Sequence, residues 1–371
     1  RNIFKRETWS PLPQGDGQRL SLRAQTNGRF FQSYNISFTE PWLGGKKPNS
    51  FTVAGFVSIL TNGFDRTSDN FGKFTNGGVT LSLGTRLKWP DDNFISSTAI
   101  NLQNIALDNW QRVIFQTDDG QLVTQGSYRN FSVNQTIARS TVNNPLFPQE
   151  GSTFSLSVQF TPPYSLFSKK NFSDQTVEQK FKWLEYHKWK FQADWYTSII
   201  GKLVARVNIK MGLMGAYNSE IGISPFERFQ LGGDGLNNSQ LNFFVGTDII
   251  RLRGYEPEDL ENNRINEFNP NDIAPTPIYD KISIELRYPV SLNPNSTIYV
   301  LAFAEGGNAW KRARDFNPFD MKRSAGVGLR VFLPMFGLLG FDYGIGFDRN
   351  VGNNTFSDLT KFSIILGFEP E

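Results

Sequence analysis

The chain has 371 residues, no cysteine and one histidine, with 38 Lys and Arg against 35 Asp and Glu for a net charge of +3. These counts exclude disulfide frameworks, thiolate nucleophiles and multi-histidine metal sites, leave His187 as the one imidazole available to a catalytic triad, and give no electrostatic footing for nucleic acid. The longest run of apolar residues, Gly and Pro is Val331–Phe341, interrupted by Pro334, which is too short for a spanning helix of about 20 apolar residues. With 34 Phe, 11 Tyr and 8 Trp the chain is too aromatic to be disordered, and its 39% hydrophobic content suits either a soluble protein or a membrane barrel whose two strand faces average out.

Periodicity decides between these two. Val79, Leu81, Leu83 and Leu87 oppose Thr80, Ser82, Gly84, Arg86 and Lys88, and Phe154, Leu156, Val158 and Phe160 oppose Ser155, Ser157 and Gln159. Ile282, Ile284, Leu286 and Tyr288 oppose Lys281, Ser283, Glu285 and Arg287. The same alternation runs through 325–333 and 339–347, and ends with Phe362, Ile364, Leu366 and Phe368 against Lys361, Ser363 and Gly367. This is the period-2 signature of strands between two different environments. In chain order it predicts strands at 18–26, 30–39, 51–60, 79–88, 96–107, 129–140, 153–161, 187–199, 203–214, 280–290, 297–306, 324–333, 338–348 and 359–368. Most have about ten residues, the length that crosses a bilayer at a tilt.

The connections alternate between short and long, as outer-membrane barrels require. Segments 334–337, 291–296, 200–202 and 89–95 are short, whereas 307–323, 162–186, 108–128 and 61–78 are long; 27–29 breaks the rule. Residues 241–252 are apolar enough for a strand, but a crossing there would invert the alternation upstream. They belong inside a single connection, 215–279, of about 65 residues, a length that usually signals function.

That connection carries a family resemblance. Ser224-Pro225-Phe226-Glu227-Arg228-Phe229, then Gly232-Gly233, then Arg253-Gly254-Tyr255 resembles the Pro-x-x-Glu-x-Phe, Gly-Gly and Arg-Gly-aromatic series of the BamA family of outer-membrane protein assembly factors. Residues 283–289, 303–310 and 324–330 are similar to the family's next three strands, the last strand resembles its aromatic-ending assembly signal, and Thr39-Glu40-Pro41-Trp42 is similar to a segment near the start of such barrels.

The resemblance implies an all-β fold, a transmembrane antiparallel β-barrel of which this chain holds about 14 of the family's about 16 strands. Residues 1–371 would form one barrel domain, with the first strands and the periplasmic POTRA domains before residue 1. It implies location in the Gram-negative outer membrane, no cofactor and no metal. The implied partners are the lipid bilayer, unfolded β-barrel clients, periplasmic chaperones and accessory outer-membrane lipoproteins, with no nucleic acid. Residues 234–252 are longer than the family's usual spacing allows and form an insertion.

Within the resemblance, the 215–279 loop folds into the lumen and Arg253 meets Glu285 and Glu305 on the wall. A guanidinium fork can bridge two carboxylates where Lys cannot; Gly254 permits a sharp approach and Tyr255 supplies a flat anchor. The alternative is that Arg253 is a solvated charge and the two glutamates merely line a polar lumen. Glu285 lies on the polar phase of its strand, while Glu305 shares its phase with Tyr299, Leu301 and Phe303. The last strand, with Phe362, Ile364, Leu366, Gly367 and Phe368, would be half of a lateral gate that templates incoming strands, or else an ordinary closing strand.

Gly232-Gly233-Asp234-Gly235 lacks the Lys-Ser/Thr of a phosphate loop and reads as a turn; Asp91-Asp92 and Asp118-Asp119-Gly120 read as solvated turns. Trp42, Trp89, Trp110, Trp183, Trp189 and Trp310 fit interfacial girdles. The functional expectation is an insertase without catalytic chemistry. The alternatives are a POTRA-bearing barrel that translocates a narrow set of surface proteins and a passive porin-like channel.

Overall fold

A computed structural model describes residues 7, 17–45, 49–111, 115–168, 171–233, 247–260, 264–266, 269–293, 296–334, 337–349 and 356–366. Its strands are β1 (Arg19–Asn27), β2 (Phe31–Glu40), β3 (Ser50–Thr61), β4 (Lys73–Arg86), β5 (Phe94–Asp108), β6 (Gly126–Ser140), β7 (Gly151–Phe160), β8 (His187–Ile200) and β9 (Leu203–Gly215), followed by four short strands in the long connection. These are β10 (Phe229–Leu231), β11 (Asp248–Ile250), β12 (Arg264–Asn266) and β13 (Asn269–Ile273). The chain then returns to long strands with β14 (Ile278–Asn293), β15 (Ser296–Trp310), β16 (Lys322–Leu333), β17 (Gly337–Gly346) and β18 (Thr360–Leu366). One 14-stranded sheet follows chain order and passes directly from β9 to β14. Each of its strands falls where the alternation predicts one, and the described part of 241–252, residues 247–252, stays within the connection. Several strands outrun their apolar stretch. β4 starts at Lys73 because the polar segment Lys73–Gly78 continues the ladder, opposite Gln103–Asp108, and a ladder needs backbone partners whatever the side chains are.

The chain divides into two compact units. The first comprises residues 1–112, 124–138 and 157–187. Its strand alternation puts Leu22, Ile36, Val79, Leu81 and Leu102 on an exposed face. On the other phase neutral amides and hydroxyls bond across the sheet: Ser33 with Ser58 at 3.0 Å, Thr39 with Thr52 at 2.9 Å and Thr80 to Asn101 at 2.9 Å, and Gln159 reaches the Tyr186 hydroxyl just before β8 at 2.8 Å. Trp110 is fully buried with its ring 5.8 Å from that of Phe74, so it caps a core instead of joining a girdle.

The second unit comprises residues 113–123, 139–156 and 188–371. Ile284, Ala304, Ala325 and Ile345 form one cross-strand row of β14 to β17, and Ile284, Leu286, Tyr288, Val327 and Tyr343 on that face are exposed. The opposite face is charged yet buried, with Ser283, Glu285, Arg287, Glu305, Arg330 and Asp342 all covered. β15 departs from the polar-inward rule. Tyr299, Leu301 and Phe303 share the buried phase with Glu305 because they have apolar partners there, Phe147 from the 141–150 connection and Val204; the Phe147 and Tyr299 rings meet edge to face at 5.2 Å. Trp310 is likewise buried, with Phe316 4.8 Å away, so it too is no girdle residue.

The exposed apolar phase of β14 tolerates no charge if it faces hydrocarbon. Leu286→Arg should lower stability in bilayers by about 2–4 kcal/mol, read as urea-induced unfolding in liposomes, while Leu286→Val should leave it nearly unchanged.

Candidate functional site

The long connection leaves β9 at Gly215 and lies on the buried charged face of β14 to β18. Its frame is a two-stranded parallel pair, β10 with β11, registering Phe229 opposite Asp248 and Leu231 opposite Ile250. Gly232 accepts no side chain: at φ +100° an added Cβ would sit 2.9 Å from the backbone of Glu256 and Pro257. Its N–H donates to Ile250 O, and the Gly233 N–H to Tyr255 O, each at 2.9 Å. The Gly-Gly pair is thus a chain crossing that fixes the Arg-Gly-Tyr segment.

Upstream, Glu227 adopts a left-handed φ of 64°, uncommon for a residue with a side chain. Lys188 donates to its carbonyl at 2.6 Å, pairs with Asp248 at 2.7 Å and lies 4.8 Å from the centre of the Phe229 ring. Arg228 donates to Ser224 O, Ile223 O and Asp118 Oδ1 at 2.8 to 2.9 Å, while Asp118 Oδ2 accepts the Ile223 N–H. Asp118, which reads from sequence as a solvated turn residue, instead clamps the loop. It does so because the Phe115 and Phe226 rings meet at a tilt with centres 4.7 Å apart and bring its turn against the Arg228 fork.

Arg253 is 4% exposed, Glu285 2% and Glu305 5%. Arg253 Nη2 lies 2.7 Å from Glu285 and 2.6 Å from Glu305, its Nε donates to Glu305 at 2.8 Å, and its backbone N–H donates to the other Glu305 oxygen at 2.9 Å. Nη2 also reaches the Ser283 hydroxyl at 3.0 Å, and the guanidinium carbon sits 3.7 Å from the centre of the Phe303 ring. Burial alone would depress the Arg253 pKa, but Glu305 and then Glu285 outweigh it and raise it. Gly254, at φ +86°, runs within 3.1 to 3.3 Å of the β17 backbone where a Cβ would stand. The Tyr255 hydroxyl donates to Arg323 O at 2.7 Å and accepts the Asp348 N–H at 3.0 Å; burial pushes its pKa up to about 12. All three motif residues therefore act as one docking element.

An Omp85 superfamily domain matches residues 14–367. The chain belongs to the Omp85 superfamily. Among solved structures, BamA from Haemophilus ducreyi lacking POTRA domains 1-3 is similar at a TM-score of 0.64 and 16% identity, over 94% of this chain and 65% of that one. CdiB from Escherichia coli is similar at a TM-score of 0.52 and 13% identity, over 90% of this chain and 52% of that one. Likeness at such identities is a likeness of fold, and the chain spans only 65% and 52% of the lengths of these two relatives. No curated protein sequence matches it. The fold class is that of an Omp85 transmembrane antiparallel β-barrel, a family of the outer membrane.

In this Omp85 chain the structure joins Arg253, Gly254, Tyr255, Glu285, Glu305, Gly232 and Gly233 in one cluster. It also shows partners that motif reading misses. Lys281 is 3.1 Å from Glu305, and Arg287 is 2.6 Å from Glu285, with Arg206 at 3.4 Å. Arg251 bonds Asp342 at 2.6 Å and the Ser363 hydroxyl of β18 at 2.7 Å, and Arg330 holds the other side of Asp342 at 2.7 Å. Glu256 reaches Lys361 of β18 at 3.2 Å. The signal for these residues is their place on the polar phase of each strand, but only the register aligns them. On β18, Phe362 is exposed and stacks on Phe341 at 6.4 Å, and Ile364 pairs with Phe341 and Leu366 with Leu339 in the ladder. Gly367, Phe368 and the 234–246 part of the insertion lie outside the described residues.

Removing one partner of a buried ion pair costs about 3–5 kcal/mol. Arg253→Ala, which removes the loop's shared cation from two buried carboxylates, should make the 215–279 loop cleavable by added protease under conditions in which the parent resists; Arg253→Lys, with its charge but no fork, should fall between. A pH effect follows from Asp248, where burial works to raise the pKa but Lys188 and Lys190 outweigh it and hold it below the ordinary value. Its contribution is therefore complete above the usual carboxylate range and is lost as the pH falls through and below that range. Loop protection should fade on acidification in the parent, and Asp248→Asn should remove that share of the pH dependence.

Proposed function

We propose that this protein is an outer-membrane insertase that assembles β-barrel proteins, acting by strand templating and without catalytic chemistry. The observation that supports this reading best is the docked Arg253 loop, buried on Glu285 and Glu305 and joined to the last strand through Arg251–Ser363 and Glu256–Lys361. A passive channel gains nothing from filling its polar face with a loop of about 65 residues. An insertase needs a scaffold that keeps its shape while one edge strand exchanges partners, since unpaired N–H and C=O groups at an edge recruit a further strand. In this reading residues 1–371 form one barrel domain whose β18 is half of the gate. The bilayer, unfolded barrel clients, periplasmic chaperones and accessory lipoproteins are its partners, with POTRA domains in the full-length chain.

A second reading, a barrel that translocates a narrow set of surface proteins, draws on the likeness to CdiB; Omp85 barrels include insertases of the BamA kind and translocators of the CdiB kind. The two differ in what happens to the client. The test is reconstitution of the full-length protein in liposomes with an unfolded barrel client, scoring folded, heat-modifiable product. Folding several-fold above that in empty liposomes is expected, with Arg253→Ala lowering it. Because the chain has no cysteine of its own, single cysteines along Thr360–Leu366 should trap an arrested client by disulfide. Protected polypeptide inside the vesicles with no gain in folded barrels would favour the translocator and overturn the insertase.

A further inference from the structure

Phe147 differs from the other buried rings of the second unit in what carries it. Residues 141–150 form no helix or strand, yet they lead from β6 to β7 and set Phe147, 1% exposed, against β15, which lies beyond β8, β9 and β14 in the sheet order. Four strand spacings amount to roughly 19 Å. The segment therefore runs as a strap over the buried face, at the end of the strands opposite the long connection, which is the periplasmic end in barrels of this kind. Its niche consists of Val204 on β9 and Tyr299, Leu301 and Phe303 on β15, with Tyr196 of β8 packed against them.

The strap keeps its own shape and is tied to the wall lightly. Asn144 Oδ1 accepts the N–H groups of Leu146 at 2.9 Å and Phe147 at 3.3 Å, Asn143 Oδ1 accepts that of Gln149 at 3.4 Å, and Pro145 and Pro148 fix the backbone on either side of the ring. The Thr141 N–H closes its root on Ser152 O at 2.9 Å. Among the described residues its one hydrogen bond to the wall comes from the Ser198 hydroxyl of β8, which donates to Gln149 O at 3.3 Å. A segment with so few bonds to its surroundings opens at a small fraction of the global unfolding free energy. What holds it down is one ring in an apolar niche.

We propose that this niche is a binding site for an aromatic side chain of an unfolded polypeptide arriving at the periplasmic end, and that Phe147 is its resting occupant. Tyr299 meets Phe147 edge to face at 5.2 Å, a gain that an aliphatic side chain of equal size does not make. Arg287 stands 5.5 Å from the centre of the Tyr299 ring and 5.7 Å from that of Tyr196, so the apolar patch ends at a charged border and admits little more than one ring. Unfolded barrel strands carry apolar and aromatic residues at alternate positions, the chemistry that Leu146, Phe147 and Pro148 offer from within the chain. An entering segment takes the niche and lifts the strap. Because Phe147 is tethered beside the niche it competes at high effective concentration, and it closes the site again when the segment moves on. The inference rests on the reading that the clients are unfolded polypeptides, which the insertase and the translocator share.

The probe is a peptide of about ten alternating polar and apolar residues, the length of a spanning strand, with photoreactive benzoylphenylalanine at its centre, added to the purified full-length protein. Light is expected to join it to β9 or β15, with a yield several-fold higher in Phe147→Ala, which vacates the niche. An excess of the same peptide with Phe at its centre should suppress the product, and its Ala counterpart should not. Because the chain has no cysteine of its own, Gln149→Cys combined with Ser198→Cys can be bridged by a reductant-cleavable bis-thiosulfonate that ties the strap down. The product should then vanish and return on reduction; should Phe147→Ala fail to fold, this measurement alone decides. A yield no higher in Phe147→Ala than in the parent, equal competition by the Ala peptide, or labelling indifferent to the bridge each overturns the proposal and leaves Phe147 a fixed part of the core. None of these readouts needs a folded client, so a parent that labels as expected yet folds no barrel overturns the insertase reading alone.

Discussion

The second unit depends on how one guanidinium is desolvated. An arginine taken out of water is strongly unfavourable unless its donors meet acceptors in good geometry, and Arg253 meets this condition by pairing with two carboxylates from adjacent strands. Glu285 and Glu305 keep wall partners of their own in Arg287, Arg206 and Lys281, and the docked guanidinium joins the two. Burying that guanidinium is unfavourable away from the wall and favourable upon it, so the loop has one well-defined seat and not a range of loose contacts.

Other features serve that seat. The Gly232-Gly233 crossing sets the height at which Arg253 leaves the β10–β11 pair, and the left-handed turn at Glu227 lets Lys188 hold the frame from β8. Gly254 admits the backbone to β17, where Tyr255 ties β16 to the segment after β17 with a single hydroxyl. Arg251 and Glu256 then extend the same framework to β18. A change at the loop is thereby coupled physically to the terminal strand through two direct contacts, with no need for a long relay of packing.

The strands were legible in the sequence because a sheet between two environments writes its faces into every second residue. The Arg-Gly-Tyr cluster was legible because its residues stand in the order and spacing of the motif series that they resemble. What escaped notice depends on register. Asp118 and Arg228 are 110 positions apart, and no local pattern tells that a turn after β5 will lie under the loop. Arg251, Arg330 and Asp342 are each plain polar-phase residues until the ladder lines them up. Trp110 and Trp310 misled because a tryptophan at a strand end looks the same whether it faces an interface or closes a core; only the neighbours Phe74 and Phe316 decide. The buried aromatic phase of β15 was visible as an anomaly, and its cause, Phe147 reaching in from a connection, was not.

The two units meet their polar obligations in different currencies of chemistry. In the first, side-chain bonds run between neutral groups such as Thr80 and Asn101 or Gln159 and Tyr186; each loss leaves a modest deficit that another amide or hydroxyl can fill. In the second, Glu285 serves three arginines and Asp342 two, so a change at either carboxylate disturbs several arginines at once. The neutral wall is free to drift residue by residue over evolutionary time. The charged wall can move only by concerted replacement, and its ancestry should be readable as correlated substitutions long after the neutral wall has lost any trace of common descent.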